Sequence, residues 1–227
     1  VTGLDLVKLT CGAWGTLGVL SEAIFKVLPK PARSLSLGLR GLDDMTAISA
    51  LTAALGSTFA VSAAAHIPAS IGSDSTTIVR LEGSEGSVAY GSRELARLWC
   101  SFGLPDLIEG DESANFWLRI RDAHWLAQPM DRSIWRLSLA PSKAPRALAD
   151  IRRKLGVRYF YDWGGGLVWL AVVDADDAGA SVVREAMVNT GGHATLVRAS
   201  SEIRRRIDVF EPLPPAVLKL TQEIKKS

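Results

Sequence analysis

The chain has 227 residues, of which 48% are apolar and 22% are charged. This composition is typical of a globular protein and excludes a disordered chain, a collagen and a disulfide-stabilised scaffold. The 26 basic and 24 acidic side chains leave a net charge of +2. No broad electrostatic field therefore favours nucleic acid or an anionic membrane as a partner.

The cysteines and the hydropathy pattern narrow the class of protein further. Cys11 and Cys100 form no CxxC pair, which argues against a disulfide framework or a zinc site and suits a reducing compartment. Residues 45–73 lack Asp, Glu, Lys and Arg, but they are mostly small residues and contain Pro68. We therefore expect no transmembrane segment there and a cytoplasmic protein.

The first 31 residues differ in pattern from the rest of the chain. We expect a helix end over 5–10 and, after a glycine-rich turn, a long apolar strand over 17–28. Pro29 and Pro31 stop that strand and mark a boundary. The sequence therefore predicts two domains, 1–31 and 32–227.

The second domain shows one order of elements twice. Its first copy, around 34–109, begins with an alternating strand and a helix that Asp43 or Asp44 caps and Gly56 ends. Its second copy, around 134–199, contains three successive glycines from Gly164, which suit a hairpin turn. The expected strands are 34–40, 58–67, 75–82, 134–139, 157–163, 167–173 and 193–199, and the expected helices are 43–55, 87–102, 145–155 and 177–190.

This repeat predicts an α+β fold. The order strand, helix, strand, strand, helix and a further strand is that of a ferredoxin-like βαββαβ unit. We infer two ferredoxin-like halves, joined by a helix that contains residues 116–125. The two halves share a pattern but no sequence identity.

The densest glycine signal is the turn formed by Gly12, Gly15 and Gly18. A dinucleotide-binding fingerprint needs closer glycines directly after a strand, so the spacing and the order both exclude it. A structural turn remains one interpretation. The other is a cradle in which a flat or phosphorylated ligand contacts the main chain.

Several segments resemble FAD-linked oxidases of the vanillyl-alcohol oxidase type, and within them the FAD-binding subunit of bacterial glycolate oxidases. The first three resemble the end of the PCMH-type FAD-binding domain, and the others resemble the C-terminal cap domain. The segments are TGLDLVKL (2–9), GAWGTLGVLSE (12–22), KVLPKP (26–31), WRLSL (135–139), DWGG (162–165) and GGHAT (191–195).

The resemblance implies FAD as the cofactor of the intact subunit, held largely through backbone contacts. The implied cofactor-binding residues are Gly3, Asp5, Gly12, Thr16, Leu17, Gly18 and Val19. This sequence departs from the family pattern at Leu4, where Tyr is usual, and at Ala13 and Trp14, where Ser and Glu are usual.

The resemblance also implies a place in a complex. The expected reaction is hydride transfer from a small 2-hydroxy acid to FAD, with electrons passing to a second flavin subunit and an iron–sulfur subunit. We expect a C-terminal fragment of such a subunit, in the cytoplasm or at the membrane periphery through the complex. The isolated fragment should be inactive and bind no FAD tightly.

The second half of the cap domain contains the candidate substrate or interface residues. His193 follows two glycines at a strand start, and Thr195 lies on the same strand face. His193 would form a hydrogen bond with the flavin, the substrate carboxylate or a partner subunit; the alternative is a strand-edge histidine whose hydrogen bonds are satisfied by backbone.

Arg136 lies in an otherwise apolar strand and needs an anionic partner. That partner is a 2-hydroxy acid, the flavin or, in the structural alternative, Asp162. Asp162 would cap the hairpin turn while Trp163 packs on the sheet. We assign no catalytic residue from the sequence.

Other chemistries lack support. His66 and His124 show no metal-ligand spacing, so we expect no metal. The basic runs 152–154, 204–206 and 225–226 are better explained as solvated faces of helices or a tail than as a nucleic-acid site. The alternative function is a non-catalytic assembly module that binds partner subunits of the oxidase complex, which the departures at Ala13 and Trp14 favour.

Overall fold

A computed structural model describes residues 5–173 and 175–226. The chain divides into two compact units. The larger is Pro31–Glu211, and the smaller combines Val1–Lys30 with Pro212–Ser227. Residues 212–227, which we expected in the cap domain, thus group with the first 30 residues.

The larger unit consists of two consecutive βαββαβ halves, as the sequence predicts. The first half contains β1 (Arg33–Arg40), α2 (Asp44–Leu55), β2 (Val61–Ile67), β3 (Thr76–Gly83), α3 (Glu85–Trp99) and β4 (Asp106–Glu109). The second contains β5 (Ser133–Ser138), α6 (Ala144–Lys154), β6 (Val157–Asp162), β7 (Leu167–Val172), α7 (Ala180–Val188) and β8 (His193–Arg198).

The connection between the halves is broken into two helices. These are α4 (Gly110–Arg121) and α5 (His124–Ala127), where we expected a single helix over 116–125. Ala123 separates them in a left-handed conformation, with φ +46°. After β8 the unit continues into α8 (Ser201–Arg206).

Both halves contribute to one sheet. Among the described residues it has eight antiparallel strands in the order β4-β1-β3-β2-β6-β7-β5-β8. The second strands of the two halves meet at its centre, where His66 of β2 lies opposite Tyr161 of β6. The predicted α+β fold of two ferredoxin-like halves is therefore confirmed.

The faces of the sheet differ in what covers them. On one face, α2, α3, α6 and α7 bury alternate strand residues such as Leu37, Trp135 and Tyr161 in the main core. On the other, α4 and α5 cover a second cluster that includes Trp117 and Phe160. We call this second face, which α4 and α5 cover only in part, the open face.

Local signals explain the helix ends. Asp43 is the N-cap of α2, and its carboxylate accepts hydrogen bonds from the Met45 and Thr46 backbone N–H groups at 2.9 and 3.0 Å. Gly56 follows the last residue of α2, as expected. Asp44, the other predicted cap, is inside the helix and has a different role, described below.

The smaller unit contains α1 (Leu6–Thr10) and α9 (Pro215–Lys226). The strand predicted over 17–28 is wrong, because these described residues form neither helix nor strand. Their apolar side chains are exposed, as in Val19 (96%) and Phe25 (79%). An apolar run becomes a strand only when a neighbouring strand takes up its backbone hydrogen bonds.

Candidate functional site

The predicted site residues fall in both units. The cap-domain candidates Arg136, Asp162, Trp163, His193 and Thr195 are all in the larger unit. The flavin candidates belong to the smaller unit, and of these Gly3 lies outside the described residues.

Arg136 is on the open face of β5. Its neighbours along the strand, Trp135 and Leu137, are fully buried in the main core, so Arg136 points to the opposite side. Directly opposite it are Thr195 of β8 and Trp169 of β7. Cross-strand neighbours share a face, so the register brings Arg136 and Thr195 together.

Trp163 provides the partner of Arg136. The guanidinium carbon lies 5.3 Å from the centre of the Trp163 ring, a cation–π distance. No described residue forms an ion pair with Arg136, so the expected alternative of a pair with Asp162 is absent. Trp163 is 62% exposed, and its ring lies against the Arg136 side chain of β5.

Asp162 ends β6 and caps the turn, as the sequence predicts. Its Oδ1 accepts the Trp163 backbone N–H at 2.7 Å. Burial raises the pKa of the Asp162 carboxyl, and the bond from Trp163 offsets only part of that rise. Asp162 is thus a half-buried carboxyl that no described cation neutralises.

His193 and Thr195 are on the same face of the edge strand β8. His193 lies opposite Ser138 and is exposed, whereas Thr195 is half-buried. The open face therefore groups a cation, an aromatic ring and a hydroxyl, with an exposed imidazole two residues along the strand.

A cavity of about 960 Å³ adjoins this group. Asp162 and Trp163 line one side of it, and α4 lines another through residues that include Trp117. Arg80 also lines it, with its guanidinium 5.3 Å from the Trp117 ring centre and 3.1 Å from a Glu82 carboxylate oxygen. The volume is within the range of small-ligand sites.

The glycine turn of the smaller unit follows α1. Asp5 caps α1 by accepting the Lys8 N–H at 3.1 Å, and the Lys8 side-chain contact lowers the pKa of Asp5. Gly12 and Gly15 have φ of +80° and +73°, values that favour glycine. The Thr16 hydroxyl donates to the Ala13 carbonyl at 2.7 Å.

A groove of about 450 Å³ lies beside this turn. Three predicted cofactor residues, Leu17, Gly18 and Val19, are part of its wall. An added Cβ at Gly12 or Gly18 would meet nothing within 4 Å, so packing against the described residues does not require glycine at these two positions. An exposed main chain with open space beside it fits contact with part of a flavin, although the Asp5 and Thr16 side chains already bond within the chain.

Sequence reasoning missed a buried polar cluster at the seam between the halves. Asp44 Oδ2 accepts hydrogen bonds from the Tyr159 and Tyr161 hydroxyls at 2.6 and 3.0 Å. His66 Nε2 lies 3.5 Å from Asp44 Oδ1 and has no hydrogen-bond partner among the described residues. The Arg152 guanidinium donates to the Tyr159 hydroxyl at 2.9 Å.

Only part of this cluster had a signal in the sequence. In β6 the alternation of Tyr159 and Tyr161 with Phe160 and Asp162 indicates a strand with two different faces. Nothing local connects Asp44, more than 100 positions away, with that strand. Burial raises the pKa of both tyrosines, and the Asp44 charge adds to the rise.

Two classes of site are absent from the part of the chain that the structure describes. No cluster of three or more His, Cys, Asp or Glu side chains is placed to hold a metal ion. No helix within residues 5–173 and 175–226 has the length and apolar character needed to cross a membrane.

Comparison with known proteins gives a relative in sequence and a relative in fold. No protein-family model matches the chain. It is 32% identical over all 227 residues to glycolate oxidase subunit GlcE of Escherichia coli (strain K12), and it spans 54% of the length of that protein.

Solved structures of alkyldihydroxyacetonephosphate synthase have the same fold. Crystals in P212121 and P1 give TM-scores of 0.63 and 0.67 at 11% and 12% identity. All of this chain is matched, against 49% and 48% of those chains. The chain is therefore similar along its whole length to a glycolate oxidase subunit, which confirms the resemblance found in its sequence, and it has the fold of about half of an alkyldihydroxyacetonephosphate synthase.

Proposed function

We propose that this chain forms part of an FAD-dependent oxidoreductase subunit of the glycolate oxidase type. The observation that carries the proposal is the 32% identity to GlcE over the whole chain. The reaction would be oxidation of a small 2-hydroxy acid, with FAD as the hydride acceptor when it is bound. Residues 1–31 would belong to the FAD-binding domain, and the rest to the cap domain.

The smaller unit would hold part of the cofactor through its main chain. Leu17, Gly18 and Val19 line the groove, and Gly12 turns the chain into it. Asp5 and Thr16 would stabilise the turn and not contact the flavin through their side chains. The Asp5 carboxylate accepts a hydrogen bond from the Lys8 N–H, and the Thr16 hydroxyl donates one to the Ala13 carbonyl. We include Gly3 in this group from the sequence resemblance alone.

The open face of the larger unit would meet the substrate or a partner subunit. Arg136 has no carboxylate partner among the described residues, so its guanidinium is available for one. Thr195 offers a hydroxyl next to it, and His193 an imidazole two residues along. Asp162 and Trp163 would border the substrate on the side of the turn.

We further propose partner subunits, because the relative is itself named as a subunit. They would be a second flavin subunit and an iron–sulfur subunit that receive the electrons. A cytoplasmic location, or one at the membrane periphery through this complex, agrees with Cys11 and Cys100, which are both exposed and unpaired with each other.

Flavin occupancy and turnover test the proposal. The longer protein that contains this chain should be purified with its complex, and flavin absorbance and glycolate-dependent dye reduction should be measured. Gly18→Val should lower both, because its side chain would enter the groove. Gly86→Ala is the matched control, since Gly86 lies in α3 and an added Cβ there meets nothing within 4 Å. Full flavin content and activity in Gly18→Val would contradict the assigned groove.

The second candidate function is a non-catalytic assembly module. The observation in its favour is the Ala13-Trp14 pair, where the family pattern has Ser and Glu; Trp14 is 76% exposed. An active complex in which this subunit contains no flavin would support the module. A flavin that is reduced by glycolate within this subunit would exclude it.

A further inference from the structure

Helix α2 of the first half contacts the β6–β7 hairpin of the second half near both ends of the helix. At its N-terminus, the Asp44 carboxylate accepts hydrogen bonds from Tyr159 and Tyr161 of β6. Both tyrosines are fully buried and point into the main core, away from the open face. The strand that precedes the turn is therefore fixed to α2 by two hydrogen bonds.

The other contact is between α2 and the turn itself. A Cβ added to Gly165 would lie 2.7 Å from Ile48 Cδ1, and one added to Gly164 would collide with Leu55 Cδ1. The backbone of the turn thus lies directly on the side chains of α2. Gly164 has a φ of +64° and Gly165 a φ of +98°, values that favour glycine in so close a turn.

Between these two contacts the chain forms Trp163 in a strained conformation. Its φ of +51° is rare for a residue with a large side chain. Such a conformation persists where the surrounding structure fixes it. Its own contacts are few, because the ring is mostly exposed and its partner is the Arg136 guanidinium.

The hairpin lies against β2 of the first half as well as against α2. A single residue pair, His66 with Tyr161, is in register between β2 and β6. The side chains of α2 therefore act together with β2 in holding the hairpin in place across the seam.

We propose that Asp44 is a positioning residue for Trp163 and Asp162, acting across the seam through the hydroxyls of Tyr159 and Tyr161. Ile48 and Leu55 support the same hairpin from the turn side. The inference that these positioned residues meet a ligand rests on the proposed function; the positioning itself does not.

The test of positioning is a spectroscopic signal from Trp163 in the full chain. 5-Fluorotryptophan is incorporated at the seven tryptophans, and Trp163→Phe assigns the ¹⁹F resonance of that residue. Tyr161→Phe and Asp44→Ala should each shift the Trp163 resonance by more than its linewidth. Asp44→Asn, whose amide oxygen still accepts from a hydroxyl, should restore most of the wild-type position.

The control separates positioning from a general loss of stability. Leu95→Ala removes a buried side chain from α3, which packs on β1 and β3, and should leave the Trp163 resonance in place. An equal shift in Leu95→Ala, or an unchanged resonance in folded Tyr161→Phe, would overturn the proposal. Tyr161→Phe keeps the core filled, so it decides the question even if Asp44→Ala fails to fold.

Activity of the longer holoenzyme then tests the functional part. Tyr161→Phe should lower kcat/KM for the 2-hydroxy acid by roughly tenfold with flavin content unchanged, less than the about hundredfold that a 1 Å misplacement can cost. Unchanged kcat/KM with a shifted resonance would leave the positioning intact and overturn its link to the substrate. Absence of 2-hydroxy-acid turnover in the wild-type complex would instead contradict the proposed function.

Discussion

Gly192 occupies a place in the fold that has no room for a side chain. An added Cβ would collide with the Ser138 carbonyl and lie 2.8 Å from Leu139 Cβ. We expect Gly192→Ala to lower the free energy of unfolding by about 2–3 kcal/mol in urea denaturation, because backbone must move. Gly86→Ala, in open space, should raise it by about 0.5 kcal/mol. An unchanged free energy of unfolding in Gly192→Ala would contradict the close contact of Gly192 with Ser138 and Leu139.

The same glycine shows how far a motif can be interpreted at the level of single residues. The segment 191–195 suggested a site because of its resemblance to the family. The structure gives Gly192 a packing reason and leaves His193 exposed, so the sequence alone could not separate the structural residue from the functional candidates. Only the tertiary contact with Ser138 distinguishes them.

Asp44 should make stability depend on pH. Burial raises the pKa of its carboxyl, but the adjacent His66 imidazole and the hydrogen bonds from the Tyr159 and Tyr161 hydroxyls together outweigh burial and lower the pKa below its ordinary value. A lowered pKa in the folded state stabilises the protein above the unfolded pKa, and this is lost as pH falls through the folded pKa.

The measurement for Asp44 is urea unfolding of wild type and Asp44→Asn between pH 7 and pH 3. The difference in free energy of unfolding should be largest at neutral pH and shrink as the solution is acidified below about pH 4. A difference that is constant over the whole range would show that the charge of Asp44 contributes nothing.

At the level of elements, the N-cap of α2 is the most local prediction. The Asp43 carboxylate accepts hydrogen bonds from the first free N–H groups of the helix. Asp43→Ala should therefore lower the free energy of unfolding by about 1 kcal/mol, measured by thermal or urea unfolding. Asp131→Ala is a suitable control, because that exposed carboxylate has no hydrogen bond or ion pair among the described residues. Equal losses in both variants would contradict the capping role.

Strands were predicted correctly where the apolar run found a neighbouring strand in the folded chain, and wrongly where it did not. The seven strands expected between residues 34 and 199 all have partners in the sheet. Residues 17–28 have an equally apolar pattern but no strand beside them. Asp43 and Asp44 also differ in role, since Asp43 caps α2 whereas Asp44 belongs to the buried polar cluster. No local pattern in the sequence distinguishes these two roles.

For the whole molecule, the division into units gives a direct test. Residues 31–211 contain both core clusters, so they should fold alone with one cooperative urea transition and native-like far-UV circular dichroism. Residues 31–110 alone should not, because the main core draws on both halves. A stable, monomeric 31–110 fragment would contradict a shared core.

The repeat of the two halves could be predicted from the sequence, but their union into one sheet through β2 and β6 could not. Hydrogen bonds between strand edges leave no pattern in the chain, so nothing indicated that β2 would meet β6. The same holds for the open face: its residues were each suggested singly, and only the register of β5 with β7 and β8 brings Arg136 beside Thr195.

The strand order also determines which strands lie at the two edges of the sheet. Joining the halves through β2 and β6 leaves β4 and β8 as the outer edges, and an uncovered edge can pair with another molecule and start aggregation. β4 is only four residues long. Along β8, the backbone N–H groups of Leu196 and Ala194 already donate to the Val209 carbonyl and the Glu211 carboxylate. The segment after α8 thus occupies part of the β8 edge that another molecule could pair with. If this cover limits pairing between molecules, Glu211→Ala should make concentrated protein aggregate sooner in light scattering than wild type.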